Sequence, residues 1–577
     1  MSRPIGGDGV MKGVCLLTLG AILAAAAAFA DEAAPKGKDR GAVKLPSAKI
    51  EQFEPEEQAS SGSVTVAGSR IDYQAIAGTL VIHPKGWDDS SQTADQDQDT
   101  EDQQNTSRTD GAANDKNPTA EASMFYVAYF KKGAEPETRP VTFLFNGGPG
   151  SSTIWLHMGA FGPKRVVTAD NTHSLAAPYA IVNNEYSLLD ASDLVFVDAP
   201  GTGFSRIAGK DKEKAFYGVD ADAYAFSEFI TEFLSKYGRW NSSKYLFGES
   251  YGTTRAAVLI NLLETSRYVD FNGVILLSQI LNFDVSPDGP EFNPGVNLPY
   301  QLALPTYAAT AWYHHKLTGS PNDLLRFLEE VEHFAMTDYA QALQAGAALD
   351  PAQRDAVATK LHAYTGLTVE YIKKADLRIN GGEFRQTLQD DSDATTGRYD
   401  TRFSGPTMDP LSKEANYDPQ QAAIGSAYVT AFNDYVRKAL KYGDNKIYKP
   451  MLPLWRTWNY QHQPPNFPRP LRQAANVMPD LAWAIKYNPN LKVQLNAAYF
   501  DLATPFYEGV YEMRQLPMPA KLQANIEYKF YQSGHMVYVH ESALKELHDN
   551  VAEFIRKSEN PGNLGRDTFS SPSTTAR

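Results

Sequence analysis

Cysteine is almost missing from this chain: Cys15 is the one cysteine in 577 residues. A single thiol excludes an intramolecular disulfide framework and any zinc site built from several cysteines. Basic residues are also short, 54 Lys and Arg against 68 Asp and Glu for a net charge of -14. That balance argues against binding a phosphate backbone, which needs a basic face. The apolar run from Val14 to Ala27 falls short of the ~20 residues of a membrane-crossing helix. A further absence is local. Asp88 to Ala122 holds ten acidic residues, two basic ones (Arg108 and Lys116), and no aromatic or branched aliphatic side chain. It has too little apolar surface to offset the entropy of ordering, which predicts a disordered acidic insertion over 88-122. What remains is globular: 42% hydrophobic and 11% aromatic residues can bury a sizeable core in one large α/β domain with insertions, or in about four smaller domains.

The N-terminal 30 residues read as an address. Arg3 and Lys12 precede the apolar run, and Ala28-Phe29-Ala30 forms a small-x-small cleavage site before Asp31, so 1-30 is expected to be a signal peptide and the protein exported, periplasmic or secreted. Met11 is an alternative start. Cleavage would remove Cys15, which suits an oxidising compartment. Residues 31-61 read as a disordered leader and 558-577 as a disordered tail.

Between these ends the pattern is that of an α/β protein. Val64-Thr65-Val66 and Ile71 onwards flank Ala67-Gly68, a hairpin signal, and Met124 to Phe130 resumes the strand pattern after the acidic insertion. Val141 to Phe145, Leu194 to Val197, Tyr245 to Phe247 and Val274 to Leu277 are short apolar runs separated by helical stretches, which predicts a doubly wound sheet. Residues 282-475 become mainly helical, with starts marked by Ser320-Pro321 and Asp350-Pro351. Strands return at Val493 to Phe500 and Ile526 to Tyr531, before a last helix from Glu541 to about Lys557. The expected organisation is a core over 62-281, a helical cap inserted over 282-475, and the rest of the core over 476-557.

The strand Tyr245-Leu246-Phe247 runs into Gly248-Glu249-Ser250-Tyr251-Gly252, a G-x-S-x-G pattern where strand, turn and helix place a serine nucleophile. A helix-capping Ser is the alternative reading. A nucleophilic Ser needs a base, and Ser, then acid, then His is the chain order of α/β-hydrolase triads. Asp501 directly follows Ala497-Ala498-Tyr499-Phe500, and His535 follows the strand ending at Tyr531, so both stand at the carboxyl ends of strands. His540 and His548 read as polar residues beside or within the last helix. The Gly-rich turn Asn146-Gly147-Gly148-Pro149-Gly150 could offer the Gly148 N-H, beside that of Tyr251, to a developing oxyanion.

Together Asn146 to Ser152 (NGGPGSS), Gly162-Pro163, Asp198 to Ser205 (DAPGTGFS), GESYG at 248-252, Asp501 and Gly534-His535-Met536 resemble the serine carboxypeptidases, an α/β-hydrolase family. The resemblance implies an α/β-hydrolase sheet with an inserted helical cap and a Ser250-Asp501-His535 triad. It also implies that Asn146, Gly147 and Glu249 bind the substrate's terminal carboxylate. Several positions depart from the pattern: Ser151 stands where the family has Cys, Ala160 where it has a second Glu, the loop after Asp198 is one residue shorter, and Gly252-Thr253 replaces Ala-Gly. The GESYGT variant, the signal type and the cysteine-free body resemble the bacterial branch.

The implied activity is release of C-terminal residues from peptides through an acyl-enzyme. An esterase or acyltransferase on the same triad, and a non-catalytic binding protein that kept the fold, are the alternatives. No cofactor, metal or nucleic-acid partner is expected. His314-His315 are adjacent helical residues that face different ways, and no HExxH accompanies them. Asp95 to Asp102 lacks the Gly and closing Glu of a calcium loop. Tyr307, Trp312 and Tyr313 read as helix core or as pocket lining.

Overall fold

The computed structural model describes residues 53-88, 117-319 and 321-559. The signal-peptide expectation, residues 89-116 of the acidic insertion and the tail beyond residue 559 lie outside them.

The sheet starts with a hairpin. β1 (Glu57–Val66) pairs antiparallel with β2 (Ser69–Ile82), Val66 opposite Ser69. Ala67 and Gly68 between them have φ of 47° and 78°, the handedness that a two-residue hairpin turn needs. The leader expected over 31-61 ends sooner, because residues 57-61 are already in β1. Apart from Ala59 they are polar, and they are mostly exposed; ladder hydrogen bonds to β2 order them, which hydrophobic periodicity does not report. Likewise Glu121 and Ala122, assigned to the acidic insertion, are buried in β3 (Glu121–Lys131), paired with β2.

Six strands then run parallel: β4 (Val141–Phe145), β5 (Asp193–Val197), β6 (Lys244–Glu249), β7 (Gly273–Leu277), β8 (Lys492–Ala498) and β9 (Ile526–Tyr531). Their order across the sheet is β1-β2-β3-β5-β4-β6-β7-β8-β9, with a short strand, Arg206–Ala208, also paired to β3. Side chains alternate between faces, as strand geometry requires. Val141, Phe143, Leu246, Val274 and Leu495 pack with helices α1 (Val219–Lys236) and α2 (Tyr251–Ser266). Leu144, Phe247, Ile275 and Leu277 pack on the other face with Pro419–Lys438 and the C-terminal helix Glu541–Ser558. This is the α/β-hydrolase architecture, a mostly parallel sheet covered on both faces.

Residues between β7 and β8 contribute a third apolar cluster. Helices Leu298–Tyr313, Leu324–Met336 and Pro351–Thr365 pack around Tyr307, Leu328, Val331 and Leu361, and the cluster reaches the sheet through Ala497 and Phe500. Asp350 caps its helix as expected, accepting from the N-H groups of Ala352 and Gln353. The start expected at Ser320-Pro321 is displaced. The helix begins at Leu324, where Asp323 accepts from the Arg326 N-H, and Ser320 is outside the described residues. Asp precedes the apolar face directly at that point, so it and not the Ser-Pro pair caps the helix.

Candidate active site

Four chain segments meet at the carboxyl ends of β4, β6, β8 and β9. Ser250 stands between β6 and α2 with φ 61° and ψ -130°, a left-handed conformation unusual for a residue with a side chain. The turn is tight: a Cβ on Gly248 would lie 2.3 Å from the Gly252 carbonyl oxygen. The Gly-rich loop approaches just as closely, since a Cβ on Gly147 would lie 2.3 Å from the Gly252 N and 2.5 Å from the Tyr251 N. Glycine at 147 therefore lets the loop after β4 rest against the first turn of α2, and glycine at 248 lets the elbow itself close.

Asp501 is fully buried and its carboxylate is saturated. Oδ1 accepts from the N-H groups of Ala503 (2.9 Å) and Thr504 (3.0 Å), and Oδ2 from the Thr504 hydroxyl (2.7 Å). His535 Nδ1 lies 2.8 Å from Oδ2. Burial opposes charge on His535, but the Asp501 carboxylate and its hydrogen bond outweigh it and raise the imidazole above its ordinary pKa. The loop carrying His535 is held from two sides. Its N-H donates to the Tyr399 carbonyl (2.6 Å), and its carbonyl accepts from the Ser278 hydroxyl (2.7 Å).

Ser250, His535, Asn146, Gly147, Gly148, Glu249 and Tyr251 line one cleft of about 520 Å³. Asp501 is not exposed to it and stands behind His535. Ile280, Phe283, Tyr460, Met451 and Trp455 make an apolar wall, and Asp288 and Arg398 form an ion pair at its edge. Tyr307 is instead buried against Phe384, with rings 4.4 Å apart, inside the helical cluster. His314 Nε2 is 2.6 Å from the Thr401 carbonyl. Among the described residues no group of three or more His, Cys, Asp or Glu is placed to hold a metal ion.

Glu249 is 3% exposed. Burial raises its carboxyl to about 7, against the lowering influence of His535, the Tyr538 hydroxyl and Asn146. The Tyr538 hydroxyl donates to both oxygens, at 3.1 and 2.9 Å. Sequence reasoning missed Tyr538, although it lies three residues beyond His535, and Thr504, three beyond Asp501. It also missed the fully buried Asp222–Arg255 pair, whose guanidinium bonds the Asn146 carbonyl at 2.8 Å. An arginine one turn into α2 is the available signal for that pair, and its partner lies 33 residues away.

Behind the site, the helix Phe506–Arg514 buries Glu508 and Glu512. Glu512 accepts from Gln279 and from the N-H groups of Leu281 and Asn282, whereas neither oxygen of Glu508 has a hydrogen-bond partner. Burial, then Glu512, Asp288 and Asp501, push the Glu508 carboxyl well up, and burial raises Glu512 to about 7. His462, between Asp220 and Asp480, is raised to about 9, the two carboxylates outweighing its burial. In each case the folded state holds its proton to higher pH than the unfolded chain does. Stability therefore falls as pH rises, from about 4.5 upward for the carboxyls and from about 6.5 to 9 for His462. His157, lowered to about 3 by burial, acts in the opposite sense, but only below pH 6.5. We expect the melting temperature to decline steadily between pH 6.5 and 9, and Glu508→Gln to flatten part of that decline. A melting temperature that rises across this interval contradicts the assignment.

Residues 102-281 match the family model described as serine carboxypeptidase. The match includes the loop after β4 and the Ser250 elbow and ends before Asp501 and His535. Among curated proteins, the chain is 32% identical over 151 residues to a pheromone-processing carboxypeptidase KEX1 of Phytophthora infestans (strain T30-4), covering 24% of this chain and 22% of that protein. It is 32% identical over 146 residues to serine carboxypeptidase S10 family member 1 of Dictyostelium discoideum, covering 23% and 30%. The chain thus spans less than a third of the length of these relatives. Both are eukaryotic, so they lend the expected bacterial placement no support. A solved structure of a prohormone-processing carboxypeptidase, KEX1(delta)p from Saccharomyces cerevisiae, aligns over 85% of this chain and 93% of its own at 15% identity and a TM-score of 0.49.

Proposed function

We propose that the chain is an exported serine-type carboxypeptidase. Ser250 attacks the carbonyl of the C-terminal peptide bond while His535 takes its proton, and Asp501 holds the imidazole in the required tautomer and offsets its charge. The tetrahedral oxyanion is received by the N-H groups of Gly148 and Tyr251. His535 then protonates the leaving amine, the C-N bond breaks, and water hydrolyses the acyl-enzyme by the same route. Asn146, Gly147 and Glu249 take the terminal carboxylate. The observation that carries this reading is the Asp501–His535 contact of 2.8 Å opening onto a cleft shared with Ser250 on its positive-φ elbow. The raised Glu249 pairs naturally with a carboxylic acid, because two carboxyl groups bind each other only when a proton is shared.

The test compares a blocked dipeptide with its C-terminal amide. The acid is expected to be cleaved at least about tenfold more efficiently below pH 7, with the advantage carried by KM. Equal rates favour an esterase or acyltransferase on the same residues, a reading that Ala160, in place of a second carboxyl, also suits. No cleavage of either, together with no labelling by a fluorophosphonate, favours a non-catalytic binding protein.

A further inference from the structure

The resemblance assigns the terminal carboxylate to two glutamates, and this chain has one of them. We infer that Tyr538 replaces the missing carboxyl: it is the positioning residue that fixes Glu249 to receive a peptide's terminal carboxylate. The inference rests on the carboxypeptidase reading and deepens it.

Three observations converge on Tyr538. Its hydroxyl reaches both oxygens of Glu249, and both side chains are only 3% exposed, so the contact is shielded from water and geometrically fixed. The ring lies against Gly159, beside the position of the expected second glutamate. A Cβ on Gly159 would stand 2.7 Å from the Tyr538 ring and 2.5 Å from the Tyr428 hydroxyl. The bulged helical turn Leu156–Phe161 thus leaves room for tyrosines where Ala160 contributes only a methyl group. Finally, Asn146 is pinned by the Leu156 N-H, which donates to its side-chain oxygen at 3.1 Å. That leaves the Asn146 NH₂ to act on Glu249 and Tyr538, both of whose pKa values it lowers against their burial.

The chemistry differs from that of a carboxyl pair. Two glutamates share a proton and titrate together. Tyr538 is held far above the physiological range by its burial, so it always donates and never titrates. With one side of Glu249 engaged by the phenol, the carboxyl's own proton is free to face the substrate carboxylate. The groups that face Glu249 are His535 and Asp501 from the loops after β9 and β8, Tyr428 from the helix Pro419–Lys438, and Tyr538 and Asn146. Burial places the proton loss of Glu249 at about 7, so selectivity for a free C-terminus should fall as that carboxyl ionises.

The test is Tyr538→Phe, which keeps the ring and removes the hydroxyl. Peptide acid and peptide amide are assayed from pH 5 to 9 with the wild type, Tyr538→Phe, Glu249→Gln and the double variant. We expect Tyr538→Phe to lose about tenfold of the acid preference through KM, with kcat/KM on the amide within about twofold of wild type. Its alkaline limb should also move to higher pH, because the lost hydroxyl no longer stabilises charged Glu249. In the Glu249→Gln background the same change should cost nothing further. An unchanged acid preference and pH limb in Tyr538→Phe, or an equal loss on acid and amide, overturns the inference while leaving the carboxypeptidase reading intact. A wild type that does not distinguish acid from amide overturns the carboxylate reading itself, before any variant is assayed.

Discussion

Ser250→Ala should lower kcat/KM on a blocked dipeptide by about 10⁴- to 10⁶-fold, the range seen when a triad nucleophile is removed. The folded state should be little changed. The Ser250 N-H donates to the Leu277 carbonyl and its own carbonyl accepts from the Thr253 N-H, and alanine keeps both. Alanine also carries the same strain as serine at a φ of 61°. Covalent labelling by a fluorophosphonate should disappear with turnover, while melting temperature and binding of a non-hydrolysed peptide acid persist. Retention of even a few per cent of the wild-type rate in a preparation free of contaminating peptidase would remove Ser250 from the mechanism.

Asp222→Ala should be the most destabilising single change in the site's support, by about 3–5 kcal/mol. Arg255 and Asp222 are both fully buried, joined at 2.7 Å between Nε and Oδ2 and at 3.3 Å between Nη2 and Oδ1. The guanidinium also lies 4.4 Å from the Phe226 ring centroid. Truncating Asp222 leaves that charge in an apolar interior with only the Asn146 carbonyl and aromatic faces for company. Arg255 would then reorient, and the loop that carries Asn146 to Gly148 would lose its anchor. Activity should fall beyond what unfolding explains, which chemical denaturation and assays on the folded fraction together would show. The paired change Asp222→Leu with Arg255→Met should recover much of the stability, because no unpaired charge remains, but not the activity, because the Asn146 carbonyl is still released. Equal stability of Asp222→Ala and wild type would show that the pair carries no such strain.

These two residues mark the limit of what the sequence discloses. Ser250, Asp501 and His535 are legible because each follows a short apolar run, and a parallel sheet aligns the ends of such runs on one edge. The same periodicity located β4 to β9 to within two residues at each end. Asp222 and Arg255 are illegible because a buried ion pair across two helices leaves no periodic trace; either residue alone looks like part of a solvated helix face. The first half of β1 escaped in the opposite way. Its polar residues pair through backbone groups that every sequence possesses. Tyr538 was hidden by chemistry: a phenol doing the work expected of a carboxyl is invisible to a search for acidic residues.

The two bonds that clamp His535 come from different parts of the chain, Ser278 at the end of β7 and Tyr399 within the long stretch between β7 and β8. Met451 and Trp455, which face the cleft, belong to that same stretch. On the proposed mechanism, one wall of the substrate cleft and one of the two seats of the base therefore belong to a single stretch of chain. A chimera that imports another protein's 282-475 segment to change specificity would then also exchange the Tyr399 seat of the imidazole, while the Ser278 seat stays.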